Sequence, residues 1–585
     1  SRDGAAPSFD AGDPGVRGRG SGGGGDGGCF ACVPADDAVG GDVFGSCLYS
    51  HKKSGKVIVA KLLGMLDMTK KTLAGIPYGI ASFDEFRSEN LAYADKTQAI
   101  EVLESRGKFP LLVRPRRFGK TLLVSMLQAY YDKAAQDAFD VNFSDTYIAE
   151  HPTPLKGKFH VLRLDFSGID TDDVAYRFAR KVQSGMLDFF CRYPMEGSKA
   201  LLDKAYASPS ELLLDFQQLV QPKIGKTLYL IIDEYDHFAN DILSKDKEQF
   251  KQITSREGFL RNFYANIKGM TSNFIARTFI TGVTTISLDS LSSGFNIARN
   301  YSTEPELATT YGFTESELRD LIAETVDLKA YGQTLDQVFV RMKDYYNGYR
   351  FSPRSDIAVF NAAMCWYYLD HIRHNKDEPD NMLDPSVASD LDKIHGILSC
   401  GDEVVRRRIV EDALAGRPIA FPVLADSLNL NQRNNFNEPE LLSTLFYLGY
   451  LTYAPGQAKQ LVCPNKAIRE QFFGYYFKKL NHLKDVTFTG GEIKVEAMAL
   501  NQGHMEPFVR AAAARLTRNV GLHALTHLNE TALQFYLLAA AGATSDFRVT
   551  AEEEARGKGY ADLVFRPTEA SGLDFMYLLE LKYLP

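Results

Sequence analysis

From about residue 76 the chain alternates between two textures. Short apolar runs, KFPLLV (108–113), FHVLRLDF (159–166), LYLII (228–232) and ARTFITGV (276–283), are bounded by polar or glycine-containing turns. Their length and their β-branched and aromatic content predict buried strands. Between them, TLLVSMLQAYYDKA (121–134) and DDVAYRFARKVQSGMLDFF (172–190) repeat apolar residues at three- and four-residue intervals, which predicts helices with one buried face. Strands interleaved with helices imply a parallel sheet covered on both faces. Beyond about residue 305 the pattern is mainly helical up to GYLTYAPGQAKQLVCP (449–464), which predicts a β-hairpin, and the helix NKAIREQFFGYYFKKL follows. Helices with a two-stranded wing suggest a winged-helix-like lid. The last segment, from about 486, is helical to Ala541 and then turns to strands at ADLVF (561–565) and FMYLLELKY (575–583).

Composition changes this picture mainly at the N-terminus. Of the 46 glycines, 14 lie in the first 50 residues, and GVRGRGSGGGGDGG has too little apolar surface to offset the entropy of ordering it. Residues 1–70 are therefore expected to form a disordered leader. Cys29, Cys32, Cys47 and His51 within it can be drawn as four zinc ligands, but their spacing fits a tetrahedral site poorly. At 585 residues the chain is expected to hold two or three domains. A net charge of -8 argues against a general polyanion binder and leaves room for a local basic groove. Seven scattered cysteines do not form a disulfide framework, which points to a reducing, intracellular setting, cytoplasmic or nuclear. The apolar stretch 532–543 is far shorter than the roughly 20 residues of a membrane-spanning helix, so no membrane partner is expected.

The candidate chemistry begins where the first strand meets its helix. A P-loop reads G-x-x-x-x-G-K-[ST] because backbone N–H groups of a glycine-rich turn cradle phosphates while the lysine meets their terminal oxygens. Residues 114–121, RPRRFGKT, supply Gly119, Lys120 and the Mg2+-ligand hydroxyl of Thr121, with Arg114 in the first glycine position. LYLIIDEYD then reads as a buried strand ending in two carboxylates. Asp233 suits a water-mediated Mg2+ ligand, and Glu234 suits the group that orients or deprotonates an attacking water. Asp165 ends the intervening strand and is read as a surface or structural acid. The next strand ends in Thr281 and is followed by Thr284 and Thr285, a polar set that serves either as a γ-phosphate sensor or as a cap of the turn. Arg116 and Arg117 are read as solvated loop arginines.

Taken in order, PYGIASFDEFRSENLAYADKT (77–97), LLVRPRRFGKT, VLRLDFSG, LIIDEYD, FITGVTTIS, YGFTESEL (311–318) and YYNGYRFS (345–352) resemble the successive motifs of the AAA-ATPase-like family. The resemblance implies an ATPase using ATP and Mg2+, and it implies that arginine at position 114 is compatible with phosphate binding, which places Arg114 among the nucleotide-binding residues. It also implies that the module is joined to a C-terminal nuclease-like domain of the PD-(D/E)XK type.

That expectation directs attention to GYADLVFRPTEASGLDFMYLLELKY, which is similar to the core of such a fold. Asp562 lies on one strand, and Glu580 and Lys582 alternate on the next, so they share a face. Two carboxylates and an ammonium there can converge on one divalent cation and one phosphate, with Asp562 and Glu580 as metal ligands and Lys582 as the charge stabiliser. Glu530, on the preceding helix, is a candidate further acid. Because the family fold normally continues beyond Lys582, this domain is expected to be truncated. The expected fold class is α/β: a P-loop NTPase domain (76–304), a helical and winged-helix-like lid (305–480) and the nuclease-like unit (486–585). Two functions follow: an ATP-hydrolysing protein coupled to a nuclease-like domain acting on nucleic acid, or a nucleotide-dependent regulatory scaffold whose C-terminal domain only binds nucleic acid or protein. A homo-oligomer, and an arginine finger from this chain or a neighbour, remain open at this level.

Overall fold

The computed structural model describes residues 73–585 except 170–171, 239–241, 243–248, 250–251, 254–257, 286–294, 385–397, 399–401, 425–436, 477–498, 520–529, 542–546, 555–559, 568–570 and 583–585. The expected leader and its Cys29, Cys32, Cys47 and His51 lie outside the described residues.

At the centre is a five-stranded, all-parallel sheet of β1 (Pro110–Val113), β2 (His160–Asp165), β3 (Leu228–Asp233), β4 (Ile275–Gly282) and β5 (Arg299–Asn300). Its order is β2-β3-β4-β1-β5. Every residue of β1 and β3 is buried, as strands covered on both faces require. The order has one consequence for the site: β4 stands between β1 and β3, so the phosphate turn and the acidic strand end flank the end of β4. Residues 299–300 add a fifth strand too short to show an apolar run.

Helices cover the sheet where their apolar stripes demand it. Lys120–Tyr131 (α1) follows β1 directly, and Val174–Arg192 (α2) packs on β2. Gly185 permits that approach, since a Cβ there would lie 2.5 Å from the Arg163 carbonyl oxygen. The strap 73–97 runs from this core to the lid. Phe83 donates its N–H to Ser125 Oγ on α1 at 2.8 Å, Tyr78 donates its hydroxyl to Asp384 at 2.6 Å, and Lys96 pairs with Glu317 at 2.7 Å. Glu317 also closes the capping box with Thr314 that starts helix Glu315–Thr325 (α3). The lid continues through Leu335–Tyr346 (α4), Ala362–Asn375 (α5) and Glu403–Ala415 (α6).

Ile419–Ala420 (β6), Thr452–Ala454 (β7) and Gln457–Val462 (β8) form an antiparallel sheet of order β6-β8-β7, with Glu438–Tyr447 (α7) before the β7–β8 hairpin. The C-terminal end of α7 turns to the core: a Cβ on Gly449 would lie 2.9 Å from the Pro115 ring. Lys466–Tyr475 (α8) follows the hairpin.

The last unit comprises Met505–Asn519 (α9), Glu530–Ala541 (α10) and an antiparallel sheet of Phe547–Glu554 (β9), Tyr560–Pro567 (β10) and Tyr577–Leu579 (β11), in the order β11-β10-β9. Two sequence expectations need correction here. FRVTAEEE is a strand that the sequence reading did not foresee, because its charged end hides the alternation of Phe547, Val549 and Ala551 toward the core. Glu580 and Lys582 were expected within the last strand, whereas its ladder ends at Leu579. Glu530 opens α10, and its side chain lies outside the described residues.

Candidate functional site

Parallel strands present their C-terminal ends on one rim of the sheet, and the β1-to-α1 turn opens there. Gly119 caps α1 with φ +94°, a left-handed conformation that glycine adopts without steric cost, and no atom lies within 4 Å of the position its Cβ would take. Arg117 also has a positive φ, of 69°. The chain therefore bends sharply just before Lys120, and the α1 N-terminus, whose first N–H groups have no partner within the helix, borders a cavity.

Lys120 is buried, with Nζ 3.3 Å from the Pro115 carbonyl and 3.5 Å from Glu234 Oε1. Glu234 follows β3 with φ +50°, and its Oε2 is buried with no hydrogen-bond partner. Asp233, 1% exposed, accepts the Glu234 N–H at 3.0 Å and faces Arg163 at 3.5 Å. Burial, reinforced by the charge of Glu234, holds its carboxyl up at about 6 despite Arg163 and Lys120. Lys120, Asp233 and Glu234 line a cavity of about 720 Å³ together with Gly119, Thr121, Asp165, Arg116 and Arg117. The cavity also has apolar walls, from strap residues Pro77–Ala81 and from Phe313, Ala363 and Trp366. Trp366, the single tryptophan of the chain, packs edge-on against Phe313 at 5.2 Å.

Arg114 does not join the other P-loop residues along this cavity. Its guanidinium is 1% exposed and donates to the carbonyls of Ser302 (2.6 Å), Val113 (2.9 Å) and Leu307 (2.9 Å). It stacks 4.4 Å from the centre of the Phe351 ring, and burial brings it down to about 10. Phe118 packs edge-on against Tyr349 and Phe351 at 4.9 and 5.2 Å. The residue expected to bind nucleotide is thus a strut between the phosphate loop and the NGYRF segment. The lid is also bonded to the loop through its backbone: Gly312 donates to Phe118 O at 3.2 Å and Ala363 to Arg117 O at 3.1 Å.

The polar residues at the end of β4 and just after it have local partners. Thr281 donates its hydroxyl to Leu112 O at 2.7 Å, and Thr284 donates both N–H and hydroxyl to Asp236. Asp236, overlooked in the sequence because it follows two more conspicuous acids, fixes the β4 turn against β3. Asp165, read as a surface or structural acid, opens into the cavity; its place became visible only when β2 paired with β3.

At the C-terminal sheet the antiparallel ladder ends at Leu563↔Leu579, so Asp562 and Glu580 each stand one residue beyond its last pair. The Asp562 carboxylate accepts the Leu581 N–H. Glu580 and Lys582 pair with each other at 3.4 Å, with 69% and 73% of their side-chain surfaces exposed. Among the described residues no group of three histidine, cysteine or carboxylate side chains is arranged to hold a metal ion, and no helix is long and apolar enough to cross a membrane.

Two comparisons bear on the site. Residues 77–292 match the family model AAA-ATPase_like, described as predicted AAA-ATPase. A protein of Azotobacter chroococcum mcd 1, described as an uncharacterized protein in the vnfD 5' region, is 26% identical over 304 residues, which cover 50% of this chain and 51% of that protein. The chain thus spans about half the length of this relative.

Proposed function

We propose that this protein, whose residues 77–292 form a module of the AAA-ATPase-like family, binds ATP with Mg2+ in the cavity at the sheet rim and hydrolyses it. The observation that carries the reading is the meeting of Lys120 and Glu234 across that cavity, a phosphate-binding cation against a candidate base. Bound ATP-Mg2+ supplies the scissile anhydride and a cation that offsets its developing charge. Lys120 exchanges Glu234 for the terminal phosphate oxygens, and the N–H groups at the head of α1 meet the same anion. The Thr121 hydroxyl, and the Asp233 carboxylate through a bound water, would hold the cation. Glu234, released from Lys120, orients the attacking water and accepts its proton. The apolar walls from strap and lid take the base, and the triphosphate alone leaves them uncovered.

Lys120→Ala is expected to abolish nucleotide binding. Glu234→Gln is expected to keep binding and lose turnover at least about tenfold, the low end of what a positioned base contributes. Calorimetric titration with ATP-Mg2+ and a phosphate-release assay separate the two. Undiminished binding by a folded Lys120→Ala protein refutes the phosphate assignment.

For the C-terminal unit we propose a nuclease-like arrangement acting on nucleic acid, supported by Asp562 and Glu580 each standing one residue beyond the last pair of the β10–β11 ladder. Glu580 and Lys582 face solvent and satisfy one another, so we propose that this set does not cleave until they turn toward Asp562.

A further inference from the structure

β2 and β3 run parallel with Asp165 directly beside Asp233, and the Phe166 N–H donates to the Asp233 carbonyl at 3.1 Å. In-register neighbours in a parallel sheet point their side chains to the same face about 4.8 Å apart. Both carboxylates line the cavity that also holds Lys120, Thr121 and Glu234. Asp165 keeps 42% of its side-chain surface open, whereas Asp233 is almost closed off. Mg2+ keeps several waters in its shell, so a carboxylate standing beside the one that holds the ion can be reached through one of those waters.

We propose that Asp165 is a further residue of the cation site, accepting a hydrogen bond from a water bound to the divalent ion that Asp233 and Thr121 hold. The inference rests on the ATPase reading above and adds a residue that the P-loop and β3 motifs do not contain. The present partners of Asp165 leave room for this role. Ser167 donates its N–H to Oδ1 at 2.9 Å and its hydroxyl to Oδ2 at 2.8 Å, and Lys181 stands 3.8 Å from Oδ2. A carboxylate offers about four acceptor positions, so two remain after Ser167. Ser167 and Lys181 then orient the group rather than consume it, as outer partners of a metal site commonly do.

The competing role is purely local: Asp165 closes the turn into Ser167 and does nothing further. Asp165→Asn separates the two, because an asparagine carbonyl still accepts the Ser167 N–H but carries no charge. The experiment titrates the full chain, by calorimetry, with a non-hydrolysable ATP analogue, once with saturating Mn2+ and once in EDTA. Asp165→Asn is expected to weaken the Mn2+-analogue complex about tenfold, the lower range for loss of an outer-shell partner, with unchanged affinity for metal-free analogue. Asp233→Asn serves as the reference for loss of the β3 carboxylate. Weakening in Asp233→Asn with none in Asp165→Asn overturns the inference and leaves the ATPase reading standing. If Mn2+ affects neither variant differently from the wild type, the cation site itself is refuted and the inference with it.

Discussion

Arg114 stands where the P-loop pattern asks for glycine. Arg114→Gly restores that pattern, and a reading based on the motif alone predicts a protein that binds nucleotide as well as before or better. The structure predicts the opposite. The substitution strips the donors from the carbonyls of Ser302 and Leu307, both held across from the loop, and removes a buried stack on Phe351. A dry carbonyl left without a partner costs about 1–3 kcal/mol, and a desolvated cation–π contact is worth about 2 kcal/mol. Against this, the variant escapes the several kcal/mol needed to bury a cation. A net loss of about 3 kcal/mol remains, which lowers the unfolding midpoint of a domain of this size by about 6–12 °C.

Because the same strut holds the loop against the NGYRF segment, the affinity for ATP-Mg2+ should also fall, by about tenfold if 1.4 kcal/mol of that loss is felt at the site. Arg114→Lys keeps the charge but lacks the planar fork that reaches several carbonyls, so it should fall between wild type and Arg114→Gly. Thermal unfolding followed by circular dichroism, with calorimetric titration of ATP-Mg2+ on the same preparations, measures both quantities. A midpoint within about 1 °C of wild type together with unchanged affinity refutes the strut.

The remaining predictions concern the two ends of the molecule's chemistry. Since Trp366 is the single tryptophan and forms part of the cavity's apolar walls, its emission should change on addition of ATP-Mg2+ but not of tripolyphosphate-Mg2+. An equal change with both ligands places the base elsewhere. At the C-terminal sheet, incubation with single- and double-stranded DNA and RNA in Mg2+ or Mn2+ should yield no cleavage. Cleavage that disappears in Asp562→Ala contradicts the proposal that the ion-paired Glu580 and Lys582 leave this set inactive.

The sequence alone determined the elements whose signal is local. The four long strands of the central sheet, the turn at Gly119, the helix beginning at Lys120 and the carboxylates ending β3 each depend on a few consecutive residues whose apolar pattern or backbone requirement is unmistakable. What it left undecided depends on pairing between distant segments. Nothing near Arg114 announces that its guanidinium will find the carbonyls of Ser302 and Leu307, some 190 residues away, so a loop arginine was read as a phosphate ligand. Asp165 looked like an ordinary strand-end acid until the parallel register with β3 set it beside Asp233. The last strand misled for the converse reason: alternation in FMYLLELKY is a property of the chain, but whether Glu580 and Lys582 lie in a ladder depends on a neighbouring strand, and the pairing with β10 stops at Leu579. Periodicity fixes which face a side chain takes within its own element, whereas burial, ion pairing and catalytic proximity are set by which elements meet, and that is decided only when the whole core packs.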